Sequence, residues 1–367
     1  TYDINAGFGG PSGSNPSFFN NSELKPEFSR DIEIGLEMQV LKNRLGIDFS
    51  YYKRKTIDLI TPLAVSTSTG ASNLWLNAGD IENRGIEFII NGTPVKTDKF
   101  SWDIKFNFAK NESEVTKLAE GTQYIPLGNV QGGISLGAQL GEPFGVIRGS
   151  DYVYHANGQP IVYTASDAPS GSWIGKYART ATNDKVIGNI NPDWTGGVKN
   201  NLRYKNFNLS FLIDIQKGGD VFSLDTYYGY ATGLYDFTAG TNHLGNPVRD
   251  PLSSGGGLLL PGVNADGSPN TTVGDASDYR NGWGYARTPN AAHVYDASFV
   301  KLRELSLGFN LPESFASKLF VKNLSLSLIG RNLWIIHKNT PYSDPEAGLS
   351  AGNIQGNQSG AYPAVKE

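Results

Sequence analysis

The sequence has no cysteine and a single methionine among its 367 residues. Disulfide frameworks, thiolate nucleophiles and cysteine-held zinc are thereby excluded, and an oxidising compartment is compatible but not required. No run approaches the roughly 18–20 consecutive apolar residues that a membrane-spanning helix needs. Basic residues are not in excess: 31 Lys and Arg stand against 35 Asp and Glu, a formal net charge of −4. With no basic patch interleaved with aromatics, nucleic-acid binding is not expected. The four histidines, His155, His243, His293 and His337, are scattered. No pair has the close spacing of a zinc site, so they read as satisfied loop histidines. Nucleophile elbows, Walker loops and dinucleotide fingerprints are also missing. The first ten residues lack a basic start followed by an apolar core, so no signal peptide is visible. Either the protein is not exported or the chain begins well inside a longer one.

What is abundant is glycine, at 44 residues, and aromatics, at 11%. Both favour strands and turns, and helices should be minor. The mean hydropathy is negative, which ordinarily suggests a soluble protein. A membrane barrel, however, alternates lipid-facing apolar and lumen-facing polar residues, so its average stays low while one face of each strand is apolar.

Period-two alternation recurs in segments of about ten residues, the length of a tilted membrane-spanning strand. Ile32, Ile34, Leu36, Met38 and Val40 oppose Asp31, Glu33, Glu37 and Gln39; beyond Lys42-Asn43-Arg44, Leu45, Ile47, Phe49 and Tyr51 alternate with Asp48, Ser50 and Tyr52. A second hairpin joins Ile86, Phe88 and Ile90 to Phe100, Trp102, Ile104, Phe106 and Phe108. A third joins Trp194, Val198, Leu202 and Tyr204, across Lys205-Asn206, to Phe207, Leu209, Phe211, Ile213 and Ile215. The fourth pairs Leu305, Leu307, Phe309 and Leu311 with Leu324, Leu326, Leu328 and Trp334, and is the least regular because Ile329 and Leu333 fall on its polar face.

Links within hairpins are short, whereas those between hairpins, near 53–80, 110–193, 216–297 and 336–360, are long. Outer-membrane barrels show this asymmetry, with short periplasmic turns and long extracellular loops. Parity requires that 110–193 hold no membrane crossing or two, with 144–154 and 161–163, joined across Asn157-Gly158, as a hairpin of either kind. Aromatics near strand ends, including Tyr51, Phe100, Trp194, Tyr204, Phe207 and Trp334, suit an interfacial girdle. A soluble β-sandwich also alternates, but structureless loops of this length are uncommon in compact soluble domains.

Several stretches resemble the SusC/RagA branch of TonB-dependent outer-membrane transporters. Leu24-Lys25-Pro26-Glu27 followed by Glu33-Ile34-Gly35-Leu36 is similar to the family's LKPE…EIGL pattern, and Asn77 to Glu87 to its NAG-x-IENRGIE stretch. Phe100-Ser101-Trp102-Asp103, Ala297 to Arg303, Leu307-Gly308-Phe309 and Gly330-Arg331-Asn332-Leu333 follow in the family's order. The resemblance implies an all-β, transmembrane antiparallel barrel, with residues 1–367 supplying about 8–10 of its 22 strands as the C-terminal part of one barrel domain. It also implies an N-terminal plug, energy from the TonB complex, a SusD-like surface lipoprotein and pairing of two transporter–lipoprotein units. The plug would lie outside this chain. Glu367 follows soon after Ala361-Tyr362-Pro363, where the family would run on into a closing strand, so an open edge in lipid makes this stretch part of a longer chain.

The implied function is TonB-dependent import of oligosaccharides or oligopeptides, without catalytic residues, metal or cofactor. Siderophore or cobalamin import, and a soluble carbohydrate-binding β-sandwich, are the alternatives. Asp344-Pro345-Glu346 and Asp275/Asp278 could in principle supply a glycosidase acid and base, but read better as solvated loop charges. Asn264-Ala265-Asp266-Gly267 lacks the terminal Glu of an EF-hand, and Thr180-Ala181-Thr182-Asn183-Asp184 replaces an acidic stretch of relatives, which puts calcium there in doubt. The loops are richer in aromatics: Phe222, Tyr227, Tyr228, Tyr230, Tyr235 and Phe237, then Tyr279, Trp283, Tyr285 and Tyr295. Of these, Tyr227, Tyr228, Tyr230, Tyr235, Trp283 and Tyr285 are candidates to contact a partner or substrate, partner contact being favoured. Packing of the loop against itself is the plainer alternative.

Overall fold

A computed structural model describes residues 3–5, 12–14, 18–19, 21–66, 68, 70–277, 283–322, 324–348 and 355–358. Eight long strands dominate: β1 Phe28–Val40, β2 Leu45–Ala64, β3 Asn73–Lys96, β4 Phe100–Leu118, β5 Pro192–Tyr204, β6 Phe207–Gly218, β7 Phe299–Asn310 and β8 Ser325–Lys338. Each neighbours the next in sequence, the order of a meander, and all four expected hairpins are present. By contacts the chain divides into two compact units. One comprises Thr1–Ile90, Asn107–Ile125 and Ala138–Phe144; the other comprises Asn91–Phe106, Pro126–Gly137 and Gly145–Glu367.

In the first unit β1 and β2 pair antiparallel with Ile34 opposite Tyr51, Leu36 opposite Phe49 and Met38 opposite Ile47. The pleat therefore gathers one apolar face, and it is bare: Ile32 and Ile34 are each 66% exposed. Lipid is the solvent such a face requires. Leu41, Lys42 and Asn43 take positive φ in the tight turn between the strands.

The expected 53–80 loop is largely strand, because β2 runs to Ala64 and β3 starts at Asn73. Val65 N–H donates to Ser72 O at 3.0 Å and closes the hairpin. Consecutive charges at Lys53-Arg54-Lys55 end the alternation in sequence. Past the bilayer both faces meet water, so a strand no longer needs an apolar side. Two motif residues hold this extension. Asp58 sits at φ 58°, and its N–H donates to Asp80 Oδ1 at 3.1 Å while its carbonyl accepts from Asn77 Nδ2 at 2.8 Å. Asn77 also bonds the Lys25 backbone on both sides, at 2.8 Å each. The LKPE-like and NAG-like stretches are thus joined to one strand irregularity.

In the second unit Tyr204, Phe207, Phe309 and Leu326 lie in one cross-strand register row through β5, β6, β7 and β8. The irregularity at Leu333 is a bulge, whereas Ile329 lies in regular register opposite Ser306. Between Leu302 and Glu304, β7 advances two residues while β6 advances one and β8 advances from Trp334 to Arg331. Asn332 is left-handed, at φ 48°. The extra residues, Arg303 on β7 and Asn332-Leu333 on β8, interrupt the pairing there.

The 110–193 excursion contains no crossing among its described strands, the parity outcome of zero. Tyr124–Val130, Ile134–Gln139, Val146–Gly149 and Lys185–Asn189 form a separate four-stranded sheet. Asn157-Gly158 is a small turn, with His155 N–H donating to Gln159 O at 2.9 Å. Within 216–297, Asp220–Ser223 pairs with Val294–Asp296, and helix α1 spans Leu224–Thr232.

Buried apolar clusters occur at the loop ends of the strands. In the first unit Ala78, Val115, Leu118, Ile125 and Ala138 pack together. In the second, one cluster centres on Ile134, Leu136, Ile147, Phe222 and Tyr227, and another on Val162, Leu260 and Trp283. The strands meet lipid on one side, and among the described residues the buried apolar clusters lie where loops fold onto strand ends or onto one another.

Candidate functional site

Helix α1 organises the aromatic loops. Ser223 caps it by accepting from Thr226 N–H at 3.2 Å, Asp225 lies in its first turn, and left-handed Gly233 ends it. Gly229 is needed at its centre, because a Cβ there would lie 2.4 Å from the Tyr235 ring.

All six aromatic candidates come together around this helix. Tyr227 and Tyr228 each lie 5.5 Å from Tyr285 between ring centroids. Tyr230 meets Tyr235 at 5.8 Å and Phe237 at 5.2 Å, and Phe237 meets Trp283 at 5.6 Å. They are not equally accessible. Tyr227 and Trp283 are core residues, 7% and 5% exposed, whereas Tyr285 is 41% exposed. Burial, with Tyr228 and Tyr285 nearby, pushes the Tyr227 phenol up to about 12. Tyr228, Tyr230 and Tyr235 are half-buried. Tyr279 lies outside the described residues.

The sequence reading missed Tyr342. It stacks on Tyr235 with centroids 3.9 Å apart and donates to Asp236 Oδ1 at 2.6 Å. It lies over a hundred positions further along the chain, so only the fold unites them. His293 is a satisfied loop histidine, as expected from the sequence, and it is also buried. Its Nδ1 lies 3.0 Å from Thr226 Oγ1 and its Nε2 2.8 Å from Thr288 Oγ1. Burial lowers its pKa to about 3. Lys176 is buried as well; its Nζ donates to Asp275 O and faces Trp283 at 6.0 Å. Burial takes it down to about 8, against the pull of Asp275.

The carboxylate pair Asp344 and Glu346 is not solvated, as the sequence suggested. Lys301, itself buried, donates to Asp344 Oδ1 at 2.5 Å and to Glu346. Arg303 donates to both Glu346 oxygens at 2.8 and 2.9 Å, to Asp214 at 2.9 Å and to Asn332 at 2.8 Å. Burial raises the Glu346 pKa, but hydrogen bonds from Arg303 and Lys301 outweigh it and leave the value lowered. A carboxylate held in this way is a poor general acid; the pair clamps the 344–348 loop to β7. The β7 bulge displaces Arg303 into this role, which alternation could not reveal. Asp275 accepts from Ser277 N–H at 2.8 Å, and Asp278 lies outside the described residues. Asp266 closes a local turn on Ser268 at 2.9 Å. Among the described residues no three His, Asp or Glu side chains converge on a metal position.

A family model described as TonB dependent receptor-like, beta-barrel matches residues 1–179. TonB-dependent receptor P3 of Formosa agariphila is 30% identical over 366 residues, covering 95% of this chain and 34% of that protein. Residues 1–179 belong to the TonB-dependent receptor β-barrel family. SusC of Bacteroides thetaiotaomicron, also a TonB-dependent receptor, is 27% identical over 81% of this chain and 27% of its own length. The fold matches a structure described as the RagAB peptide transporter, with a TM-score of 0.67 at 21% identity, over 99% of this chain and 37% of that one. The chain spans about a third of the length of the first of these relatives. It is a SusC-like portion of an outer-membrane β-barrel, and the strand order and apolar outer face fit that setting.

Proposed function

We propose that residues 1–367 are one stretch of a single barrel domain in an importer of oligosaccharides or oligopeptides, driven by TonB and working with a SusD-like surface lipoprotein. Similarity to proteins named SusC and RagAB supports nutrient import. The observation that carries the partner reading is the graded aromatic cluster. Tyr227 and Trp283 form its packed floor, and Tyr285, Phe237 and Tyr342 are exposed. Rigid amphipathic rings on a prepacked base lose little entropy on contact, as partner hot spots require. No covalent chemistry is assigned, because Asp344 and Glu346 are held in ion pairs.

The test uses the full-length transporter extracted from envelopes in detergent. A surface lipoprotein should co-purify, and Tyr285→Ala with Tyr342→Ala should weaken its retention by roughly tenfold or more, the loss typical of interface aromatics. Undiminished retention, with the barrel intact, would remove these rings from the partner surface.

A further inference from the structure

We propose that the turn-side rim of the second unit docks an anionic phospholipid of the periplasmic leaflet. Short turns mark the periplasmic side of such a barrel. Two of them, at Lys205-Asn206 and at 312–322, carry the same combination of exposed rings and lysines.

At the first turn, Tyr204 and Phe207 are exposed at the last strand positions, and Lys205 Nζ lies 5.5 Å from the Tyr204 ring. Phe207 meets Phe309 at 4.8 Å, opposite it in register. At the second, Glu313–Ala316 forms a helical turn with Phe315 exposed and Lys318 Nζ 5.4 Å from its ring. Phe320 is 98% exposed and held at φ 59°, a conformation costly for an aromatic residue. It is fixed by hydrogen bonds from Phe320 N–H to Ser317 O at 3.1 Å and from Val321 N–H to Ala316 O at 3.2 Å. The ring is thus held exposed four residues before Leu324, where the exposed apolar positions Leu324, Leu326 and Leu328 begin.

Exposed rings at the turn ends of lipid-facing strands fit the headgroup–acyl boundary. The lysines select the headgroup. Among the described residues, ion pairs of this unit use Lys199, Lys217, Lys301, Arg303 and Arg331, and Lys205, Lys318 and Lys322 are in none of them. An ammonium beside an aromatic ring at this depth complements a lipid phosphate, and a second negative charge on the lipid adds to the attraction.

The test is native mass spectrometry of the full-length transporter in micelles doped with phosphatidylglycerol or phosphatidylethanolamine. The wild type should retain phosphatidylglycerol preferentially. Lys318→Gln with Lys322→Gln should lower that retention by about fivefold per lysine, while Phe320→Ser should weaken both lipids alike. Phosphatidylglycerol retention unchanged in both variants overturns the proposal. So does displacement of the lipid by excess inorganic phosphate alone, which would assign the lysines to a free anion.

Discussion

The indole N–H of Trp102 donates to the Asn200 side-chain oxygen at 3.0 Å. Asn200 stands opposite Phe211, so its carboxamide falls in the lipid-facing row of β5. In hydrocarbon no water can satisfy such a group, and Trp102 from β4 takes that place. Trp102→Phe should therefore destabilise the full-length barrel by about 1–3 kcal/mol, the cost of an orphaned polar group. Urea unfolding in liposomes measures it. Adding Asn200→Leu should recover most of the loss; if the double variant is no better than the single, the bond is not the cause.

Gly85 lies beneath the Tyr52 ring, where an added Cβ would come within 2.5 Å of ring atoms and 2.6 Å of the Lys110 carbonyl. The ring can move, but the backbone cannot do so cheaply. Gly85→Ala should cost about 1–3 kcal/mol, typical of overpacking. Tyr52→Ala in the same chain should restore only part of it. Full rescue, read as heat-modifiability on gels, would show that the carbonyl contact is harmless.

His293 gives the loops a defined acid response. Its folded pKa, about 3, is below its ordinary 6.5, so the folded loop binds fewer protons than the opened one. The contribution is complete above about pH 6.5 and is lost as pH falls towards 3, at about 1.4 kcal/mol per unit. Hydrogen exchange in peptides covering 222–232 and 283–295 should be faster at pH 5 than at pH 7.5, after correction for intrinsic rates. His293→Gln should flatten the difference. A pH dependence identical in both proteins would place the response elsewhere.

Lys301→Met removes the cation shared by Asp344 and Glu346. Breaking one side of a buried ion cluster costs about 3–5 kcal/mol. The loss should be confined to the 340–348 loop, seen as earlier proteolytic cleavage there while the barrel stays heat-modifiable. Unchanged protease resistance would mean that Arg303 alone holds the loop.

The eight strands were legible because a lipid face and a water face impose period two, and the order of the hairpins followed from their short turns. Strand length was not legible: past Lys53 the reason for alternation disappears while the hydrogen bonding continues to Ala64. Bulges also hide from pattern reading, and one of them turns Arg303 toward Asp214 and Glu346. The aromatic candidates gather around α1, yet sequence could not separate floor from surface. Tyr227 and Tyr285 look equivalent in a loop, and only the seat of α1 decides which is covered.

The length of β2 has a mechanical consequence. At about 3.3 Å per residue, its 20 residues extend well beyond the roughly 25 Å apolar band of an outer-membrane barrel. Asn77 and Asp80 brace that overhang through the Asp58 backbone. Whatever settles on this side of the outer membrane meets a stiff collar of paired strands, so little motion remains there to be frozen out by contact.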